Sequence, residues 1–223
     1  MTSRCAAVVL ASLLGLSSAQ AQETAADALA LVKRYIELHN SHDLESVMAL
    51  YAENAVFYLS MGRPAVHGRD AIESLERFDV AAQSTLYPQE IRAERDGDFW
   101  RVHLGGVIEH SEIFEAAGVS IVMAQGIESG FVLRDGKIVE LRQPDLEPAC
   151  TEIVAAALRE TAAWLVSVGD PRRTTLVANG FLRLTPTTIP AVVQALRDWR
   201  GATKTAPAPV AMSACARFDP LPG

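Results

Sequence analysis

The chain has 223 residues, of which 49% are hydrophobic and 21% charged, and its formal net charge is −7. This composition allows a sizeable buried core and excludes a chain that is disordered throughout. The acidic balance, without a cluster of basic residues, argues against binding to nucleic acid.

The first 21 residues have the parts of a secretory signal peptide in the required order. Arg4 supplies the positive charge, and the apolar run at 5–16 is too short to span a bilayer. Ala19 and Ala21 then offer a cleavage site with small residues. We expect cleavage near Ala21 and a periplasmic or secreted mature chain without a stable membrane anchor; the alternative is a buried N-terminal helix.

Three helices and one strand are expected in the next part of the chain. Apolar residues recur with helical spacing from Ala25 to Leu38, and Asp43 can cap a second helix. Residues that favour β-structure predict a strand from Ala55 to Met61. After a break that contains Gly62, a short helix is expected from Arg69 to Phe78.

After Pro88 the pattern changes to strands joined by tight turns. Asp96-Gly97 and Asp135-Gly136 are Asp-Gly pairs, which are strong hairpin signals. The turn at Glu115–Gly118 is expected to join two long strands that pair Phe114 with Val119. Helices followed by about four strands predict an α+β fold, in which a curved antiparallel sheet wraps over the N-terminal helices.

The sequence becomes helical again from Leu146, with Thr151 and Thr188 as candidate caps of two helices. The segment after residue 200 has little secondary-structure signal. The predicted organisation is a signal peptide at 1–21, a cone-shaped domain at 22–145, a mainly helical C-terminal extension at 146–200 and a tail at 201–223.

The strand pairing predicts which side chains share a face of the sheet. One face would be apolar and would include Val102, Leu104 and His110, and the opposite face would hold polar residues such as Glu109. Gly105-Gly106 leaves an alternative open. A bulge there would invert the alternation and exchange His110 for Glu109 on the apolar face.

Export would leave Cys150 and Cys215 as an even pair of cysteines in an oxidising compartment. Such a pair indicates a disulfide that ties the C-terminal tail to the end of the first domain. The alternative is two separate buried thiols.

A series of landmarks between residues 31 and 72 resembles the opening of the nuclear transport factor 2-like superfamily, in its SnoaL-like and ketosteroid-isomerase-like branches. The landmarks are Asn40, Asp43, Leu50-Tyr51-Ala52, Asn54-Ala55, Gly62 with Pro64, and Gly68 with Ala71-Ile72. The resemblance covers Ala26–Asp145 and does not extend to the C-terminal helices. It implies a cone-shaped sheet that encloses a hydrophobic pocket.

The resemblance also implies positions for catalytic residues. The family's isomerases use a tyrosine of the first helix as oxyanion donor, an aspartate of the first strand as general base and a protonated aspartate as second donor. These positions fall here on Tyr35, on or next to Leu59, and near Ser129. Because a leucine cannot move a proton, steroid isomerisation is not expected.

The leading hypothesis is therefore an exported protein that binds a small hydrophobic molecule in its cone. Tyr35 and His110 would supply polar contacts, and the expected pocket lining is Phe57, Leu59, Met61, Trp100, Ile108, Met123, Gln125 and Ile127. One alternative is an isomerase, dehydratase or cyclase that acts on a hydrophobic carbonyl compound, with His110 as base and Tyr35 as oxyanion donor. Another is an interaction module that forms a homodimer through the sheet.

His39 and His42 are candidate metal ligands. They lie three residues apart, but no matching cluster of cysteine and histidine occurs elsewhere in the sequence. The sequence thus predicts that both histidines lie in a solvated loop, and it predicts neither a metal nor a cofactor.

Overall fold

A computed structural model describes residues 23–60, 62–119, 121–123, 129–143, 145 and 148–203. Its helices are α1 (Ala25–Asn40), α2 (Leu44–Leu50), α3 (Arg69–Ala81), α4 (Glu112–Ala117), α5 (Pro148–Ser167), α6 (Arg173–Leu176) and α7 (Ile189–Thr203). Its strands are β1 (Tyr51–Tyr58), β2 (Val66–His67), β3 (Thr85–Pro88), β4 (Ile91–Asp96), β5 (Phe99–Leu104), β6 (Val107–His110), β7 (Ile121–Met123), β8 (Gly130–Arg134), β9 (Lys137–Arg142), β10 (Val177–Ala178) and β11 (Phe181–Leu182).

The N-terminal helices begin at residues that satisfy their free backbone N–H groups. Thr24 and Asp27 form a reciprocal capping box at the start of α1. Asp43 accepts a hydrogen bond from the backbone N–H of Ser46 at 3.2 Å, as its predicted role as a cap requires. These caps fix where α1 and α2 begin, and thereby which of their side chains face the sheet.

The main sheet has six strands in the order β2-β1-β9-β8-β5-β4. The two Asp-Gly turns join β4 to β5 and β8 to β9, as predicted. Every ladder in this sheet is antiparallel except that between β1 and β9, which is parallel. The α+β class is confirmed, and the sheet is mixed instead of purely antiparallel.

The predicted long hairpin that pairs Phe114 with Val119 is wrong. The segment between β6 and β7 is helix α4, because Ser111 caps its start and Gly118 adopts a left-handed conformation (φ 92°) at its end. The observed register pairs Val107 with Met123. With β3, these two strands form a separate sheet in the order β3-β6-β7.

Two hydrophobic cores hold the described chain together. The first lies between the N-terminal helices and the main sheet, and includes Val32, Ile72 and Leu133. The second joins α4, α5 and α7, and includes Leu165 and Leu196. Helix α3 serves both cores, because its Ile72 belongs to the first and its Phe78 packs against the second.

Several sequence predictions lie outside the described residues. They concern the signal peptide at 1–21, the pocket residues Met61, Gln125 and Ile127, and Cys215. Its predicted disulfide partner Cys150 is fully buried in the second core. Among the described helices, none is both long and apolar enough to cross a membrane.

Candidate functional site

The centre of the candidate site is a buried carboxylate, that of Glu76 on α3. Its Oε1 accepts hydrogen bonds from the hydroxyls of Tyr35 at 2.9 Å and Tyr51 at 2.8 Å. Its Oε2 lies 3.3 Å from Nδ1 of His39, and the side chains of both residues are at most 4% exposed. One carboxylate therefore joins α1, α3 and β1 inside the first core.

Helical spacing brings these groups together. Tyr35 and His39 are four residues apart on α1, so they lie on one face of the helix, with their rings stacked at 5.8 Å. Glu76 and Asp79 are three residues apart on α3 and also share a face. The two helices thus present a tyrosine, a histidine and two carboxyl groups to one another.

A cavity of about 60 Å³ lies beside this cluster. Its walls are largely apolar and include Phe57, Leu104, Val107 and Phe131, while His39, Asp79 and Glu109 line it with polar groups. A space of this size holds a few water molecules or the end of a ligand, because one water needs roughly 10–15 Å³ of such volume.

His39, Asp79 and Glu109 form what we call the polar end of the cavity. Glu109 belongs to it because the alternation of side chains inverts at Gly105-Gly106. Leu104 and Val107, three residues apart, both line the cavity, and Glu109 follows on the same side of β6. Its Oε1 accepts a hydrogen bond from the hydroxyl of Ser84 at 2.7 Å. This is the outcome that the sequence left open, with Glu109 inside in place of His110.

The charges of the cluster shift the pKa of His39. Burial lowers this pKa, but the hydrogen bond and charge of Glu76, together with the charges of Asp79 and Glu109, outweigh burial and leave the pKa above its ordinary value. With Nδ1 directed at Glu76, the other ring nitrogen, Nε2, is buried and has no hydrogen-bond partner among the described residues.

The two carboxyl groups that line the cavity also have raised pKa values. Burial and the charge of Glu109 hold the pKa of Asp79 well above its ordinary range, although His39 acts in the opposite direction. Burial raises the pKa of Glu109 and outweighs the hydrogen bond from Ser84 and the charge of His39. Both carboxyl groups therefore hold protons more tightly than exposed ones do.

The tyrosines of the cluster are held as neutral donors. Burial and the charge of Glu76 place the pKa values of Tyr35 and Tyr51 well above the ordinary value. Each hydroxyl has one proton, and the geometry directs both protons to Glu76. Tyr35 thus positions Glu76, and the proton of its hydroxyl is already engaged in this hydrogen bond.

One group of described residues has the side chains to hold a metal ion. His39, Glu76 and Asp79 each offer one ligand atom, and these atoms lie within 4.8 Å of one another. One imidazole with two carboxylates suits a transition metal better than calcium or magnesium. Glu76, however, already accepts two tyrosine hydrogen bonds.

The structure brings only some of the predicted site residues to the cavity. Tyr35 and Phe57 line it. Leu59 and Trp100 are partly buried against the first core, and the indole N–H of Trp100 donates to the backbone oxygen of Glu23 at 3.3 Å. The backbone of Met123 lies in β7.

His110 and Ile108 occupy the other face of β6. The ring of His110 meets the ring of Tyr87 edge-on at 5.6 Å, and its Nδ1 lies 4.0 Å from the carboxylate of Glu115. Neither His110 nor Ile108 belongs to the described lining of the cavity.

Sequence reasoning missed Glu76, Asp79 and the burial of His39, which was expected in a solvated loop. A signal was present for the two carboxylates. They follow Ile72 by four and seven residues, which places them on the buried stripe of α3. For His39, the signal was its spacing of four residues from Tyr35, which places both side chains on the same face of α1.

About half of the chain is similar to known proteins. A family model described as a SnoaL-like domain matches residues 32–141. The match covers α1 to β9, apart from the first turns of α1, and therefore includes every residue of the cluster described above.

Three solved structures are similar to this part of the chain. One is the epoxide hydrolase/cyclase-like enzyme SalBIII, which has a role in pyran ring formation in the polyether salinomycin. It has 20% identity and a TM-score of 0.43, over 54% of this chain and 91% of its own. A candidate ketosteroid isomerase from Kribbella flavida has 19% identity and a TM-score of 0.40 over 55% and 79%. RV0760c from Mycobacterium tuberculosis has 22% identity and a TM-score of 0.41 over 55% and 92%. Similarity at this level says nothing about what the chain binds.

Proposed function

Because residues 32–141 form a SnoaL-like domain of the nuclear transport factor 2-like superfamily, we propose that this protein binds a small, mostly apolar molecule in the cavity. The observation that carries the proposal is the contrast within that cavity, whose walls are largely apolar and whose few polar side chains include His39, Asp79 and Glu109. Ligand sites have this character, with a few polar groups that orient an otherwise apolar molecule.

Two adjacent residues of β6 offer a matched test of where the ligand binds. Val107 lines the cavity, and Ile108 points to the other face of the strand. Val107→Phe fills the cavity and should abolish binding of small apolar probes in ligand-observed NMR, while Ile108→Phe should leave it unchanged. Equal binding by both variants would refute a ligand site in this cavity.

A second candidate function is an isomerase, dehydratase or cyclase acting on a hydrophobic carbonyl compound. It is favoured by the pair of Glu76 and His39, since a carboxylate at Nδ1 leaves Nε2 for proton transfer. The base would then be His39 in place of His110, and Tyr35 would position Glu76. His39→Gln should abolish turnover and retain binding; an unchanged rate would dismiss this role.

We also propose that the protein is exported, on the basis of its N-terminal sequence. Fractionation of the native host, followed by mass spectrometry of the mature N-terminus, tests this. A chain in the periplasm or medium that starts near Gln22 would support export, and an intact Met1 in the cytoplasm would refute it.

A further inference from the structure

The polar end of the cavity has an excess of acidic groups. Glu76, Asp79 and Glu109 surround a single imidazole, that of His39, whose pKa responds to the charges of all three. A buried carboxylate is costly unless it is paired or protonated. The raised pKa values of Asp79 and Glu109 follow from this, because burial disfavours both ionised carboxyl groups and the charge of Glu109 repels that of Asp79.

One permanent cation, Arg142, belongs to the described lining of the cavity. Its guanidinium lies 4.0 Å from the centre of the Tyr58 ring and 3.5 Å from the carboxylate of Glu140, so it shares its charge with a carboxylate outside the polar end. The described residues therefore supply more acid than base around this space.

Hydrogen-bond acceptors at the polar end outnumber donors. Nε2 of His39 is buried without a partner among the described residues, and in the neutral ring with a proton on Nδ1 it is an acceptor. No hydrogen bond joins the Asp79 carboxyl to another described group, and Glu109 uses one oxygen for Ser84. One ring nitrogen and two carboxylates match the three N–H donors of a primary ammonium group.

From the charge and the hydrogen-bonding groups, we infer that the cavity binds small apolar primary amines, with the ammonium group held by His39, Asp79 and Glu109. The apolar walls take the hydrocarbon part, and aromatic rings such as those of Tyr35 and Phe131 add favourable contacts for a cation. This inference rests on the proposed function, since it names the class of molecule that the cavity takes.

Binding of the cation displaces protons from the site. His39, Asp79 and Glu109 face the ammonium group; Glu76, Tyr35 and Tyr51 stand behind His39; Arg142 lies on β9 at the side. Ionised carboxylates and a neutral imidazole bind the cation best. Affinity therefore increases with pH, and the amine itself stays protonated near neutral pH because its pKa resembles that of lysine, about 10.4.

Three probes with the same ring test the inference, namely cyclopentylamine, cyclopentanol and cyclopentanecarboxylate. Dissociation constants are measured by isothermal titration calorimetry at about pH 8. We expect the amine to bind at least about tenfold more tightly than the alcohol, as hydrogen bonds to charged groups allow. The carboxylate should not bind.

The outcomes separate this inference from the proposed function. If the alcohol or the carboxylate binds as tightly as the amine, the amine inference is overturned and the apolar ligand site stands. If none of the three binds, both fail.

Variants of α3 and β6 locate the ammonium group. Asp79→Asn, which keeps the shape of the side chain, should weaken cyclopentylamine at least about tenfold and leave cyclopentanol unchanged. Asp70→Asn on the exposed start of the same helix removes the same charge and should have no effect. Glu109→Gln repeats the test from β6, where the amide oxygen can still accept from Ser84. Full amine affinity in both Asp79→Asn and Glu109→Gln would overturn the inference.

Discussion

The hydroxyl of Tyr35 donates a hydrogen bond to Oε1 of Glu76 at 2.9 Å and thereby ties α1 to α3 inside the first core. Tyr51 donates to the same oxygen from β1 at 2.8 Å. Glu76 is consequently held on three sides, because His39 approaches its other oxygen. The geometry of the polar end depends on this arrangement.

Removal of one of these hydroxyls should lower stability. Tyr35→Phe deletes one donor to a buried carboxylate, and we expect the free energy of unfolding to fall by about 1.5–3 kcal/mol. Urea denaturation measures the loss. In a cycle with Tyr51→Phe, the two effects should not add, since both hydroxyls serve one oxygen. A loss below about 0.5 kcal/mol would contradict a structural role for this hydrogen bond.

Stability should depend on pH through Asp79. Its pKa is raised in the folded state, so its contribution is complete below the unfolded pKa near 4 and is lost as the pH rises towards the folded pKa. His39, also raised, acts in the same direction from about pH 6.5 upwards. We expect Asp79→Asn to gain stability relative to the wild type as the pH rises above about 4, because only the wild type loses the contribution of a protonated Asp79. Urea denaturation at several pH values measures this, and parallel pH profiles would contradict it.

Substitution of two histidines distinguishes the sequence prediction from the structure. His39→Phe should weaken cyclopentylamine about tenfold, because the phenyl ring has no acceptor in place of Nε2. His110→Phe should change the affinity less than about twofold, because His110 lies on the other face of β6. The opposite ranking in calorimetric titrations would restore His110 as the ligand contact.

Truncation within the second core should destabilise the protein strongly. Leu196 on α7 is fully buried, and Leu196→Ala should lower the free energy of unfolding by about 2–5 kcal/mol. Leu184→Ala is a matched control, since Leu184 is 39% exposed, and should cost less than about 0.5 kcal/mol. Equal losses in urea denaturation would show that this core contributes little to folding.

The disulfide between Cys150 and Cys215 remains a prediction from the sequence. Mass spectrometry of the exported protein without reduction should find a chain two hydrogens lighter than the dithiol, with both cysteines in one peptide pair. Reduction should then lower stability by roughly 4 kcal/mol, according to the chain-entropy model for so long a loop. Two free thiols in the exported protein would refute the pairing.

Local sequence signals were sufficient for much of the fold. The Asp-Gly turns and the cap at Asp43 depend on a few neighbouring residues, and these predictions are confirmed. The parity of β6 could not be predicted, because Gly105-Gly106 permits either alternation and only the pairing of β6 with β3 and β7 decides.

The candidate site was harder to predict than the fold. Glu76 and Asp79 occur in a helix rich in charged residues, where carboxylates normally face water. Their burial depends on partners that are distant in sequence, namely Tyr35, Tyr51 and His39. Only the tertiary structure shows that these partners converge. The sequence therefore indicated Tyr35 but not Glu76, the residue that accepts its hydrogen bond.

Helix α3 contacts the cavity region with one face and the C-terminal helices with another. Asp79 lines the cavity, and Glu76 lies beside it, hydrogen-bonded to Tyr35. Phe78 packs against the C-terminal helices. Successive residues are about 100° apart around a helix and turn together with it. A rotation of α3 about its axis that changes the packing of Phe78 therefore also moves the carboxyl groups of Glu76 and Asp79. The packing of the C-terminal helices against α3 therefore sets the positions of the two carboxyl groups. Substitutions in those helices, far from the cavity, can change which molecules it binds.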